Sequence, residues 1–474
     1  MTKHTPTTQI SRRAAIGMMA SGTVLAPVGF AVAWAQPLEP LDITIQNAVY
    51  KITDAVTRDL ISTRPDGPPP VIRLRQGQPF AARVTNTLSD YTTMHWHGIR
   101  VPNAMDGVPY LTQFPFGPGQ SFEYKFTPQD AGTYWYHPHC LTMDQMAMGL
   151  TGVLVVEEET DPGFDGEVIL NLRDFRLRPT GEWLDLWTPR GAARAGTFGT
   201  AITANWETNP VYDGPTGGLM RLRLAATDTT RIYKPYVVGA GGVIIAADGH
   251  PLREPLEWPT EDAPYLLSPG QRIDMAIKMP EIEGAYVDIM GDFPGGPRPL
   301  ARVRAVGPNT ARSLHELRPL PQNDVPEPDL DNARLEELVF GWSPEGGAQQ
   351  NGFCGTLGYS FWSINRMPWP GDAAPDGTPG AGPLAVFRLG ESVILRLRNE
   401  SPNDHPIHLH GLVFRPLRSN KRKLASNWTD TVLLTRDEII DVCLVADNPG
   451  DWVFHCHVIE HQKTGLAGFI RVEA

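Results

Sequence analysis

Cysteine is scarce in this 474-residue chain, with only Cys140, Cys354, Cys443 and Cys456. Cys456 belongs to a motif treated below. The other three allow at most one intrachain disulfide and leave one thiol over. A surplus of basic charge is also missing. The net charge of −12 excludes a nucleic-acid partner and otherwise speaks only of solubility. Past the N-terminus no stretch is long and apolar enough to span a bilayer, so no membrane association is expected of the mature chain. Long helical periodicity is absent too. Beside 46 Gly and 45 Pro, that absence points to many strands joined by turns.

The N-terminus reads as an export signal over residues 1–36. Ser11-Arg12-Arg13 precedes an apolar run to about Ala33, and Ala33-Trp34-Ala35 fits a small-x-small cleavage site. Gly17, Ser21, Gly22, Pro27 and Gly29 make the run a poor membrane anchor. The paired arginines favour the twin-arginine export machinery and a periplasmic or otherwise exported location.

Ten of the 13 histidines lie in four clusters: HWHG at 95–98, HPH at 137–139, HPIHLHG at 405–411 and HCHVIEH at 455–461. Imidazole is the commonest transition-metal side chain, and a lone thiolate among imidazoles points to copper before zinc. The clusters sit in a repeat. Val71–Gly77 leads through Ala82–Asn86 to His95 and His97, as Val386–Gly390 leads through Leu395–Asn399 to His408 and His410. Asp130–His139 resembles Asn448–His457, and both reach a Gly-Leu-x-Gly turn. The runs alternate at strand period, with Val393, Leu395 and Leu397 on one face and Ile394, Arg396 and Arg398 on the other. The expected fold is all-β, three consecutive cupredoxin-like Greek-key β-sandwich domains. The expected divisions are 37–158, 159–308 (one histidine, His250, and no metal), a connecting segment 309–335, and 336–474. Residues 370–383 read as a loop.

On a strand, residues i and i+2 share a face and i+1 points away. The pairs 95/97, 137/139, 408/410 and 455/457 therefore converge and offer eight imidazoles for about three metal ions. Cys456 must point away from His455 and His457 toward a different ion, with His405 and His461 free to join it. Two His and one Cys make the trigonal set of a blue-copper site. Structural zinc prefers more thiolate and gives no reason for the alternation.

On these motifs the chain resembles the three-domain multicopper oxidases of the laccase kind, over nearly all of its mature length. It is similar in particular to exported bacterial members, which include cuprous oxidases and a group linked to manganese oxidation. The resemblance implies four copper ions per chain. It implies a type 1 copper on His405, Cys456 and His461, and a type 2 copper on His95 and His408. It implies a type 3 pair on His97, His137, His139, His410, His455 and His457. Cys456 would carry electrons, and O2 with a small-molecule or metal-ion reductant would be the partners. Leu466 stands where many bacterial relatives have a methionine ligand, so the type 1 copper is expected to be three-coordinate and of relatively high potential. Asp106, eleven residues after His95, matches an acid the family uses for proton delivery. Gln462 replaces a second acid found in some relatives.

Other residues stay open. Met143, Met146 and Met148 are read as packing beneath the second cluster, with a cuprous substrate site as the alternative. Cys140 is a disulfide partner of Cys354, a spectator or a stray ligand. Cys443 reads as core. Asp404 and Asp430 are either acids near the type 1 edge that accept a phenol proton or orient His405, or solvated loop acids. The favoured activity is one-electron oxidation of phenolic reductants coupled to four-electron reduction of O2. The alternatives are a cuprous or manganous ion oxidase and a non-catalytic copper-binding scaffold. Copper nitrite reductase is disfavoured by the full set of four pairs.

Overall fold

The computed structural model describes residues 39–348, 354–369 and 382–474. The expected signal segment and nearly all of the 370–383 loop lie outside them. Six sheets follow one another in three pairs: two of four strands over Leu41–Glu157, one of six and one of four over Gly166–Val306, and two of five over Arg334–Glu473. The fold is all-β and cupredoxin-like. Each pair encloses its own core. Ile45, Val84 and Tyr124 of one sheet meet Leu74, Trp96 and Leu154 of the other in the first. Leu395, Leu397 and Val442 meet Ile407, Phe454 and Ile470 in the last.

The three pairs share one wiring. In each, the first strand of one sheet runs parallel to a later strand, with Leu41 beside Ala82, Gly166 beside Met220 and Arg334 beside Val393. In each second sheet an early strand runs parallel to the last, with Ile72 beside Leu154, Val211 beside Arg302 and Ala385 beside Ile470. Strand Ser392–Asn399 shows why the pattern folds so. Val393, Leu395 and Leu397 are fully buried, while Arg396 on the outer face pairs with Asp441 at 2.8 Å. In the middle pair the strand Arg272–Lys278 is preceded by a turn at Pro269 and Gly270.

This wiring sets histidine strands side by side. His95–His97 pairs antiparallel with Gly132–His137, placing His95 opposite His137. His405–Leu409 pairs with Gly450–Cys456, placing His408 opposite His455 and Ile407 opposite Cys456. A disulfide links Cys140, next to His139, to Cys354, and Cys443 is a buried free thiol in strand Ile439–Val445.

Candidate metal centre

Eight imidazoles from the first and third units meet in one buried space. His97, His137 and His457 bring ring nitrogens within 4.8 Å of one another, as do His139, His410 and His455, and His95, His97 and His408. Three of the His-x-His pairs divide between these groups, whereas His95 and His97 share one with His408. His137 faces His457, for example, while His139 faces His410 and His455.

Fixed acceptors hold one nitrogen of most rings. Nδ1 of His95 donates to the Asp106 carbonyl at 2.8 Å, and Nδ1 of His137 to the Pro138 carbonyl at 3.0 Å. Nδ1 of His408 donates to the Asp430 carbonyl at 2.9 Å, and Nδ1 of His455 to the Cys456 carbonyl at 2.8 Å. Nδ1 of His410 donates to the Asp106 carboxylate at 3.0 Å. His97 is held the other way round, with Nε2 donating to Oδ1 of Asp430 at 3.1 Å. The opposite nitrogens of His95, His97, His137 and His408 are buried with no hydrogen-bond partner. A buried polar atom left so costs about 1–3 kcal/mol, and here several point into the same space. Nε2 of His410 and Nε2 of His455 face each other at 3.2 Å, although each ring spends its proton elsewhere. Two lone pairs so placed call for a cation between them. Burial first, and neighbouring imidazoles second, hold His137, His139, His410, His455 and His457 well below the ordinary histidine range. The rings are therefore neutral, as metal ligands must be.

A second cluster lies on the opposite face of strand Gly450–Cys456. Sγ of Cys456 is 3.6 Å from Nδ1 of His405 and 3.5 Å from Nδ1 of His461, and those nitrogens are 3.1 Å apart. All three residues are fully buried. Nε2 of His405 donates to Ser401 at 2.7 Å, and Nε2 of His461 donates to the Arg194 carbonyl of the second unit. The Trp362 ring lies 5.0 Å from that of His405 and 4.7 Å from that of His461. Burial pushes the Cys456 thiol up, so the thiolate form needs a cation beside it. A thiolate–imidazole triad and an imidazole-only cluster suit a borderline-soft transition metal such as copper, and both donor sets fit it.

The remaining sequence candidates fall as follows. Leu466 is fully buried in the core that contains Cys456, and its carbonyl accepts the Cys456 N–H at 3.0 Å. Met143 and Met146 pack with Trp135 and Ile459, in keeping with the packing reading, and Met148 is half-buried at the edge of the first core. Gln462 donates to His139 at 3.4 Å. Asp430 corrects an expectation. It lies not at His405 but against His97 and His408, because the strand Thr431–Leu434 runs antiparallel to His405–Leu409 and pairs His408 with Thr431 and His405 with Leu434. Asp404 is exposed and accepts the Arg436 N–H, and Ser401 is the partner of His405 instead. Sequence reasoning also missed Arg194, Trp362 and Arg272, which no metal-binding spacing marks.

Fold and donor set together define a cupredoxin-type protein built to hold several metal ions through imidazole and one thiolate. Family models described as multicopper oxidase match residues 44–161 and 359–474. A multi-copper oxidase from Pseudomonas thermotolerans is 35% identical, with a TM-score of 0.80 over 92% of this chain and 99% of that one. The multicopper oxidase MmcO of Mycobacterium tuberculosis is 28% identical over 84% of this chain and 80% of its own length. Laccase-2 of Fomitopsis schrenkii is 27% identical over 94% and 92%. The chain belongs to the multicopper oxidase family and is an oxidoreductase.

Proposed function

We propose that the chain is a laccase-like oxidase that takes electrons singly from phenolic reductants and delivers four of them to O2. The carrying observation is Cys456, whose thiol faces one donor cluster while its backbone neighbours His455 and His457 face the other. Four copper ions complete the assignment: type 1 on His405, Cys456 and His461, type 2 on His95 and His408, and type 3 on the other six histidines of the eight-imidazole space. Copper bound there supplies one-electron redox chemistry and O2 activation. The balance is four phenols oxidised to phenoxyl radicals, releasing four protons and four electrons that convert O2 to two waters.

The chain's own residues supply the rest. Backbone and carboxylate acceptors fix the ring orientations before any metal binds. Asp106, buried between His95 and His410, is placed to hold and pass a proton to the reduced oxygen. Leu466 offers no donor atom to the thiolate site, which favours a high potential. A cavity of about 710 Å³ lined by Ala195, Phe198, Asn403, Asp404 and Val458 adjoins the loop that leads into His405 and the turn after Cys456. That opening suits a small organic reductant. The divisions 37–158, 159–308 and 336–474 serve as the domain limits, and residues 1–36 as a twin-arginine signal for export. Cys456→Ser tests the reading: it should abolish the blue absorption and phenol turnover, and turnover at the parent rate would refute it.

A further inference from the structure

The middle unit has no metal-ligand cluster among its described residues, yet one of its turns reaches the eight-imidazole space. The turn is Ser268-Pro-Gly-Gln-Arg272, leading into strand Arg272–Lys278. Gly270 adopts φ +93°, and a Cβ there would come within 3.1 Å of His457 and 3.2 Å of His97. Gln271 donates to the Thr431 carbonyl at 3.2 Å. Arg272 is fully buried and touches all three units. Its Nε donates to the Thr133 carbonyl of the first at 3.0 Å, and its backbone N–H to Asp248 of the second at 2.7 Å. Nη1 and Nη2 grip Oδ1 and Oδ2 of Asp430 in the third at 2.9 and 2.7 Å.

We propose that Arg272 is a positioning residue for the imidazole cluster, acting through Asp430 to fix which nitrogen of His97 faces the metal. Oδ1 of Asp430 takes three donors: Nη1 of Arg272, Oγ1 of Thr431 at 2.7 Å and Nε2 of His97 at 3.1 Å. The guanidinium fork leaves the carboxylate one orientation. In that orientation His97 carries its proton on Nε2 and presents the bare, unpartnered Nδ1 inward. His95, His137 and His408 all present Nε2 instead, so His97 is turned the opposite way. The Asp430 carbonyl holds His408 at the same time, so one anchored residue orients a ligand from the first unit and one from the third. Gly98, directly after His97, completes the fit. A Cβ there would lie 2.4 Å from Arg272 Nη2 and 2.6 Å from Asp430 Oδ2, so the ion pair sits flush against the HWHG backbone. The copper role of His97 rests on the function proposed above; the orientation of its ring does not.

The test uses Arg272→Gln and the double variant Arg272→Gln/Asp430→Ala in the full chain, with two readouts. Imidazole ¹⁵N shifts of the copper-free protein report the His97 tautomer. The parent should show protonation at Nε2, and Arg272→Gln should show a mixture or a reversal. Copper retention against a chelator should fall about ten- to hundredfold at the imidazole cluster, while the blue thiolate site stays loaded. A merely structural arginine would lower the melting temperature and leave the tautomer alone. Should Arg272→Gln fail to fold, the double variant Arg272→Gln/Asp430→Ala removes both buried charges together with the acceptor of the His97 proton, and it must still shift the tautomer. A folded variant with His97 unchanged and copper retained as in the parent overturns the proposal. A parent that shows the tautomer but binds no copper would instead overturn the proposed function.

Discussion

The carboxylate of Asp106, in the first unit, accepts the Nδ1 proton of His410, in the third, at 3.0 Å. The same residue's carbonyl holds His95 at 2.8 Å, so Asp106 joins two ligand-bearing strands that lie more than 300 residues apart in the chain. Asp106→Ala should free His410 to rotate and cut copper retention at the imidazole cluster about ten- to hundredfold. Asp106→Asn keeps an acceptor. It should retain copper and the blue colour while slowing O2 reduction about tenfold or more, because the amide cannot pass a proton. Steady-state oxygen uptake with both variants checks this. An Asn variant as fast as the parent rules out the proton role.

Leu466 sets the second prediction. Its side chain is buried in the core around Cys456 and has no donor atom. Leu466→Met places a thioether there and should lower the reduction potential of the thiolate site. A redox titration of the blue band decides it, and a potential that is unchanged or raised contradicts the reading.

The Cys140–Cys354 bridge is buried and adjoins His139, and the Leu141 N–H also binds the Cys354 carbonyl at 2.9 Å. Cys354→Ser should cost about 2–5 kcal/mol of stability by urea unfolding. It should loosen the imidazole cluster before the thiolate site, so copper lost on mild chelation leaves the blue band in place. Simultaneous loss of the blue colour would contradict this order.

His250, in the middle unit and outside the ligand clusters, gives a pH signature. Burial holds its imidazole down to about 4, opposed by Asp130 and Asp430 and aided by Arg100 and Arg272, while Nδ1 accepts from Asn323 at 3.1 Å. In the unfolded chain the group titrates near 6.5. The folded value is the lower one, so its stabilisation is complete above about pH 6.5 and is lost as pH falls toward 4. Linkage puts the ceiling at about 3 kcal/mol. In copper-free protein the stability gap between parent and His250→Gln should narrow by about 1–3 kcal/mol from pH 7 to pH 4.5. A gap independent of pH contradicts it.

Much of the centre was legible because strand geometry turns spacing into direction. The alternation at His455, Cys456 and His457 separates two clusters without knowledge of the fold, and the repeat at 95–97 and 408–410 pairs the units. What spacing cannot carry is register between distant strands. Asp430 lies in the sequence between His405 and Cys456, and only the antiparallel pairing of Thr431 with His408 places it at the imidazole cluster. Arg272 belongs to a unit with no metal motif, and only the packing of three units brings its guanidinium to Asp430. Ser401 and Arg194 hold the thiolate-site rings from loops whose composition says nothing of metal.

The most direct test of the oxidase reading is oxygen uptake by copper-loaded mature protein, with a methoxyphenol and Cu(I) compared at matched concentrations. The account predicts faster uptake with the phenol, one O2 consumed per four phenols oxidised, and no peroxide. Faster uptake with Cu(I) would contradict it and assign the protein to metal-ion oxidation; no uptake with either would leave a copper-binding scaffold.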